Sequence, residues 1–355
     1  MKKWIALSLA LIILLSLCAC KKGGEEPSPQ PTDTAPTKPT PPPSDPPENP
    51  APEPNFYLLK EISSSILGQE VYFDMNIQLN YNGDYHLTGT DHYENGHLST
   101  AVTYRSNTLD LLGKLVYSHD GQIVETYVHE YDEKGNPLTI TGTDANGTVI
   151  YSKIYNYDPN GLVGSCETYH NGQLSYWESY HYDEYGLRDS FSSGDGNGNL
   201  LYDLRYRNVL EDGKLKAIIT LNNGEYYHTV SYNDNGDPIT EVRYASGYKE
   251  LSKIQYTYTE SGKPLAESHT NADKKEIYRV EYVYDELDQL IEVRRIRSGQ
   301  LEQKALYTYD NGLLTGYKSY TYDQLDADYT YIYEPVFLSE EQAAILSAIY
   351  AELMN

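Results

Sequence analysis

The sequence predicts an all-β chain, an antiparallel β-meander of tandem hairpin repeats forming an open or curled single sheet, with a C-terminal capping helix. Three observations predict it. Tyrosine-acid-glycine turns recur at a fixed period. Side chains between the turns alternate with period two. Tyrosine, at 38 residues against four phenylalanines and two tryptophans, supplies nearly all the aromatic surface.

The first 19 residues read as a lipoprotein signal peptide. Lys2 and Lys3 precede an apolar run from about Ile5 to Leu17, too short to span a bilayer comfortably. Leu17-Cys18-Ala19-Cys20 follows and resembles the bacterial lipobox, in which the last cysteine is diacylated and becomes the first mature residue. The resemblance implies lipidation at Cys20, with palmitate or a similar acyl chain, and anchoring to the membrane through diacylglycerol. The alternative is an ordinary secretory peptide that happens to hold Cys18 and Cys20. Two acyl chains anchor stably where one does not. Export to the outer face of the bacterial cell membrane is therefore expected.

Residues 20–55 read as a lipid-anchored, Pro-rich disordered linker. Pro27 to Pro54 is Pro, Thr, Ser and acid with almost nothing to bury. Extended polyproline II at ~3.1 Å per residue would reach on the order of 100 Å. Cys166 is the one other cysteine after cleavage. With Cys20 acylated it has no disulfide partner, and packing must stabilise the fold.

Residues 56–334 are the expected repeat domain. Val71, Phe73, Met75, Ile77 and Leu79 alternate with polar residues before an Asn82-Gly83-Asp84 turn. The clearest repeat is Tyr131-Asp132-Glu133-Lys134-Gly135-Asn136-Pro137-Leu138. Further copies start at Tyr157, Tyr182, Tyr232, Tyr258, Tyr284 and Tyr309, spaced 24 to 26 residues apart where they are clear. Asp288 replaces the glycine in one copy. A second turn series includes Asn146-Gly147, Asn171-Gly172, Asn223-Gly224, Ser246-Gly247 and Ser298-Gly299. Strands of roughly 8 to 10 residues between tight turns make a long meander.

Tyr-x-Tyr-Asp-x-x-Gly-x-Pro-Leu resembles the YD repeat of the Rhs and teneurin families, over about residues 80–333. In those families the repeats curl into a hollow shell around a toxin or linker. This chain is much shorter. It lacks a recognisable Rhs core motif, an autoproteolytic aspartyl site and a toxin-like C-terminus, so the resemblance implies at most part of a shell and no toxin. Half-copies such as Tyr169-His170-Asn171-Gly172-Gln173-Leu174 are also similar to MORN-like repeats, without the MORN glycine pattern.

Tyrosine pairs at i and i+2 (Tyr155/Tyr157, Tyr180/Tyr182, Tyr256/Tyr258, Tyr282/Tyr284, Tyr307/Tyr309 and Tyr331/Tyr333 among them) place both rings on one face of a strand. Rings packed across strands with hydroxyls in water would suit a sheet lacking a second layer. Part of this ladder could instead stack on sugar rings, and Tyr176 with Trp177 is the candidate platform. Residues 335–355 predict an amphipathic helix, begun by a Ser339/Gln342 capping box and covering the last strands. A partner-binding helix is the alternative.

The composition narrows function. A formal charge of −25 argues against nucleic acid, whose phosphates need a basic footprint, and against lying flat on anionic lipid. No catalytic motif is visible: no Gly-x-Ser-x-Gly elbow, phosphate loop, His-Glu-x-x-His or Cys-x-x-Cys. Asp195-Gly196-Asn197-Gly198-Asn199 begins like an EF-hand loop, but Leu200 and Tyr206 stand where its glycine and glutamate belong. His86, His92 and His97 show no metal spacing. The expectation is a cell-surface protein that is not an enzyme, needs no cofactor or metal, and binds a cell-wall glycan or an extracellular protein. An envelope scaffold is the alternative and a glycoside hydrolase a distant third.

Overall fold

The computed structural model describes residues 54–67, 72–106 and 108–354. The lipobox with Cys20 and most of the linker lie outside them. Twenty-two strands, β1 (Phe56–Leu67) to β22 (Gln324–Val336), are followed by one helix, α1 (Glu340–Leu353). Of the described residues, Leu59–Glu334 form one compact unit; those up to Leu58 join those from Pro335 onward in a second.

In the first unit every strand pairs antiparallel with its sequence neighbour, as in β6 (Ile123–Tyr131) with β7 (Pro137–Asp144) and β8 (Val149–Tyr157). The ends then meet, β1 pairing with β22. Lys60 Nζ lies 3.7 Å from Glu334 Oε2 across the junction. The sheet is therefore a closed 22-strand barrel, and the expectation of an open or curled single sheet is corrected. The reason lies in the edges: an open meander would leave two unpaired, and mutual pairing of the first and last strands removes both. At ~4.8 Å per strand, 22 strands give a circumference of about 105 Å. That is far wider than the eight-strand rings whose interiors side chains fill.

The turns explain the repeat. In the best copy Gly135 N–H donates to Asp132 O (3.0 Å) and Asp132 N–H to Asn136 O (2.9 Å). Asp132 Oδ1 accepts from the N–H groups of Lys134 and Asn136, both at 2.8 Å. Gly135 takes a φ of 89°, which a Cβ would disfavour. Asp158, Asp183, Asn233 and Asp285 repeat this bonding. So do Asp144 and Asp195, so Asn146-Gly147 belongs to the longer turn class. Asn171-Gly172, Asn223-Gly224 and Ser298-Gly299 are two-residue turns with both φ values positive, matching the twist of their strands.

The longer turns of the Tyr-Asp series end in a register shift at the tyrosine before them, as at Glu130/Tyr131 and Thr257/Tyr258, while in the Asp144 and Asp195 turns the shift falls at Thr143 and Gly194. The bulge interrupts the backbone ladder, and tyrosine hydroxyls bond there. Tyr131 donates to Leu111 O (2.7 Å), Tyr157 to Pro137 O (2.6 Å), Tyr182 to Val163 O (3.0 Å) and Tyr258 to Pro238 O (2.6 Å). Tyr284 donates to Pro264 O (2.8 Å), Tyr309 to Leu290 O (3.0 Å) and Tyr333 to Leu314 O (2.9 Å). In the repeat where Asn208 replaces tyrosine, its amide donates to Arg188 O at 3.1 Å. The second tyrosine of each pair is thus a latch onto the preceding hairpin, not a ring with its hydroxyl in water. Phenylalanine cannot make this bond, which accounts for tyrosine at these positions.

The ladder face is also where burial concentrates: Leu79, Leu87, Cys166, Val280, Leu290 and Val293 are nearly inaccessible. Across the wall Val128, Ile154 and Ile332 are exposed. Side chains on the inward face of a closed ring converge while those outside diverge, so the ladder faces inward.

The second unit holds α1. Ser339 caps it, its Oγ accepting from Gln342 N–H at 3.1 Å, and Leu346, Ile349 and Tyr350 are buried. Asn55 and Leu338 exchange two hydrogen bonds, and the Phe56 and Tyr350 rings lie 6.1 Å apart.

Candidate functional site

The inward face carries a polar and aromatic network between β14 (Glu225–Tyr232) and β20 (Gln300–Asp310). Strand register builds it. Opposite the inward-facing residues of a neighbouring strand, other hairpins place apolar groups: Ile140 faces His129, Phe191 faces Tyr180 and Val293 faces Tyr282. In two successive repeats that position is a carboxylate. Glu241 faces Val230, and Glu267 faces Tyr256.

A phenol binds each carboxylate, and an imidazole stands beside each. Tyr256 Oη donates to Glu241 Oε1 at 2.8 Å, and His228 Nε2 lies 3.4 Å from Glu241 Oε2. Tyr282 Oη donates to Glu267 Oε1 at 2.6 Å, and His269 Nε2 to Glu267 Oε2 at 3.1 Å. The His269 ring stacks on Tyr278, with centroids 4.0 Å apart. The Arg295 guanidinium covers Tyr278 at 3.9 Å; Glu302 accepts a hydrogen bond from Arg297 Nε at 2.8 Å, and its other oxygen lies 3.2 Å from Arg295 Nε, an ion pair without hydrogen-bond geometry.

Electrostatics fixes the charge states. Burial works against a charge on Glu267, but the hydrogen bonds from His269 and Tyr282, with the pull of His269, outweigh it and hold the carboxyl below its ordinary value. Burial first, and then the bonds to Glu241 and Glu267, push the Tyr256 and Tyr282 phenols far above theirs. Ionised carboxylate and neutral phenol therefore persist across the physiological range.

A smaller cluster surrounds Cys166, whose Sγ donates to Glu178 Oε2 at 2.6 Å, with Lys153 Nζ 3.9 Å from the same oxygen. Burial, and then that bond, push the thiol up to about 12. Such a thiol is inert.

The structure separates the two residues of the sequence-derived platform. Adjacent strand residues point to opposite faces. Tyr176 pairs with Thr168 and Asp195, while Trp177 pairs with Glu167 and Gly194. Tyr176 therefore faces inward and Trp177 outward, where its indole covers Gly194 closely enough to exclude a Cβ. Asp195, the start of the EF-hand-like run, spends both carboxylate oxygens on its own turn: Oδ1 accepts from the N–H groups of Asn197 and Asn199, and Oδ2 from the Asn199 amide. Among the described residues no three His, Cys, Asp or Glu side chains converge as a metal site. The Glu241 and Glu267 network escaped sequence reasoning because an acidic chain offers many carboxylates. Its one available signal was a glutamate at a position held by Ile140, Phe191 and Val293 in other repeats.

Neither a protein-family model nor a curated protein sequence matches the chain. Among solved structures it is similar to the TcdB2-TccC3 complex, with a TM-score of 0.35, 11% identity, and coverage of 76% of this chain and 19% of that one. It is also similar to the Photorhabdus luminescens Tc holotoxin pore, at 0.27, 12%, 74% and 20%. A porin-like protein from Bacteroides uniformis gives 0.29, 11%, 78% and 98%. The chain thus spans about a fifth of the Tc chains it matches. All three TM-scores fall below 0.5, too low for the likeness to carry a functional argument.

Proposed function

We propose that this protein is an exported, lipid-anchored module of the bacterial cell surface that binds an extracellular partner, a glycan in the first place, without catalysing a reaction. The observation that carries the reading is the inward network, in which aromatic rings stand beside carboxylate and guanidinium groups already fixed by one another. Preorganised polar groups among aromatic rings recognise sugars at little entropic cost. The lowered Glu267 carboxyl and the raised Tyr256 and Tyr282 phenols favour binding over acid–base chemistry.

The wall's outward face supports a water-exposed ring. Glu130, Glu167, Arg205, Glu281 and Arg294 face outward by register, interrupting the continuous apolar band that a lipid-embedded barrel requires. No helix among the described residues is long and apolar enough to cross a membrane. Anchoring would then rest on Cys20, and mass spectrometry of the mature N-terminal peptide should show its diacylated form.

One observation favours the scaffold alternative: the tyrosine latch recurs through the repeats with its hydroxyl spent on backbone. Retention of the purified protein on isolated cell walls and on a glycan array separates the two readings. Saturable retention is the expected result. Absence of retention on every surface would overturn the binding reading and leave the scaffold.

A further inference from the structure

We infer that the protein has a second binding site, a pocket for one or two rings of a neutral saccharide at the turn ends of β13 (Lys214–Asn222), β14 and β15 (Pro238–Ala245), before β16 (Lys249–Tyr258) begins. The inference deepens the glycan reading and rests on it. Register brings both faces of the wall to the site at these strand ends, with Asn222 and Glu225 paired on the ladder side and Tyr226 and Tyr244 on the other. Tyr226 pairs with Leu221, which alternates with inward Thr220, and Tyr244 pairs with Glu250 next to inward Arg243 and Ser252.

The cavity measures about 440 Å³, within the range of small-molecule sites. Its lining is specific in kind. Tyr226, Tyr227 and Tyr244 contribute rings, Asn222 and Asn223 amides, Glu225 a carboxylate and Ser246 a hydroxyl. The Tyr226 and Tyr244 rings meet edge to face, with centroids 5.8 Å apart and planes at 74°. Rings offer the C–H faces of a sugar a stacking surface, and amides and hydroxyls match its hydroxyl groups. None of these residues is basic, which disfavours phosphates and nucleotides. None is aliphatic, which disfavours an acyl chain. Glu225 and the chain's charge of −25 repel acidic polysaccharides.

Tyr248 adds an independent observation. It follows Gly247 and takes a φ of 63°, a region suited to glycine and costly for an aromatic residue. It is nonetheless 62% exposed, and its ring stands 5.0 Å from that of Tyr226. A strained backbone that holds a ring in water beside a tyrosine-lined pocket fits selection for binding over stability.

The test follows from that strain. The full chain and its Tyr248→Gly variant are titrated by calorimetry with N,N′-diacetylchitobiose, cellobiose and maltose, with polygalacturonate and tetramethylammonium as contrasting probes. At least one neutral disaccharide should bind the native chain saturably. Tyr248→Gly should weaken it by about fivefold or more while raising the melting midpoint by about 2 °C. Tyr185→Ala, at an exposed turn tyrosine far along the ring, should change neither. Equal binding by the native chain and Tyr248→Gly would overturn this pocket while leaving the general glycan reading intact. Binding of polygalacturonate or tetramethylammonium alone would overturn the neutral-saccharide assignment. Retention on cell walls without any disaccharide binding would also overturn the pocket, and silence in both assays would overturn the pocket and the glycan reading together.

Discussion

Removing one oxygen from the second tyrosine of a repeat tests the latch. Tyr157 Oη donates to Pro137 O at 2.6 Å across the bulge, and Tyr157→Phe deletes that bond while keeping the ring. A typical hydrogen bond contributes about 1 kcal/mol net, and a half-buried carbonyl left without its partner adds a desolvation cost, so about 1–2 kcal/mol is expected. For a domain of this size that lowers the melting midpoint by roughly 2–6 °C. Tyr155, two residues earlier on the same face, has no hydroxyl hydrogen bond among the described residues; its ring lies 5.2 Å from Lys153 Nζ. Tyr155→Phe should therefore stay within about 0.5 kcal/mol of the native chain. Tyr284→Phe removes the equivalent bond several hairpins away, and the two deletions should add. Thermal melts followed by far-UV circular dichroism give all four numbers. Equal losses for Tyr155→Phe and Tyr157→Phe would refute the latch and return the tyrosines to mere ring packing.

Other consequences stem from the turns and buried groups. Lys274 stands at a φ of 60° where most turns of its class place glycine, so Lys274→Gly should stabilise the fold by about 0.5–1 kcal/mol, readable in a denaturant midpoint. Hydrogen bonds within their turns hold the carboxyls of Asp132, Asp144 and Asp195 below the ordinary value. Because the folded-state pKa values are depressed, this contribution is complete above the unfolded-state value near 4 and is lost as pH falls through the folded ones. Asn233 shows that an amide can make the same turn, so replacing these aspartates by asparagine should keep the fold and flatten its acid-side loss of melting temperature. Burial raises the phenols of Tyr256 and Tyr282; stability from raised groups is full below pH ~10 and fades above it. Phenolate absorbance should therefore show a class of tyrosines that ionises only as the chain unfolds. Cys166 should resist a thiol reagent in the native protein and react once denaturant is added, and rapid native labelling would contradict its buried, raised state.

Much of the wall is legible in the sequence because its signals are local. Asp132-x-x-Gly135 specifies a turn, and Val71 to Leu79 specify a face. Ser339 with Gln342 marks the start of the helix. Closure is not local: it depends on β1 and β22, nearly 270 residues apart, finding each other's edges, and no single repeat encodes that. The latch was half legible, since an excess of tyrosine over phenylalanine signals that the hydroxyl matters, but its acceptor lies about 20 residues upstream across a bulge. The network of Glu241, Glu267, His269 and Arg295 needs the exact cross-strand register, which each bulge shifts. The same rule of alternation that pairs Tyr155 with Tyr157 on one face separates Tyr176 from Trp177.

Closure itself is open to a direct distance measurement. With the native cysteines replaced by serine, spin labels at Lys60→Cys and Glu334→Cys sit at positions whose charged side-chain ends lie 3.7 Å apart in the closed ring. Double electron–electron resonance should then give a narrow distribution near or below about 20 Å, allowing for the label arms. An open sheet of 22 strands at ~4.8 Å each would separate these edges by several tens of ångströms, and a distribution centred there would contradict the barrel.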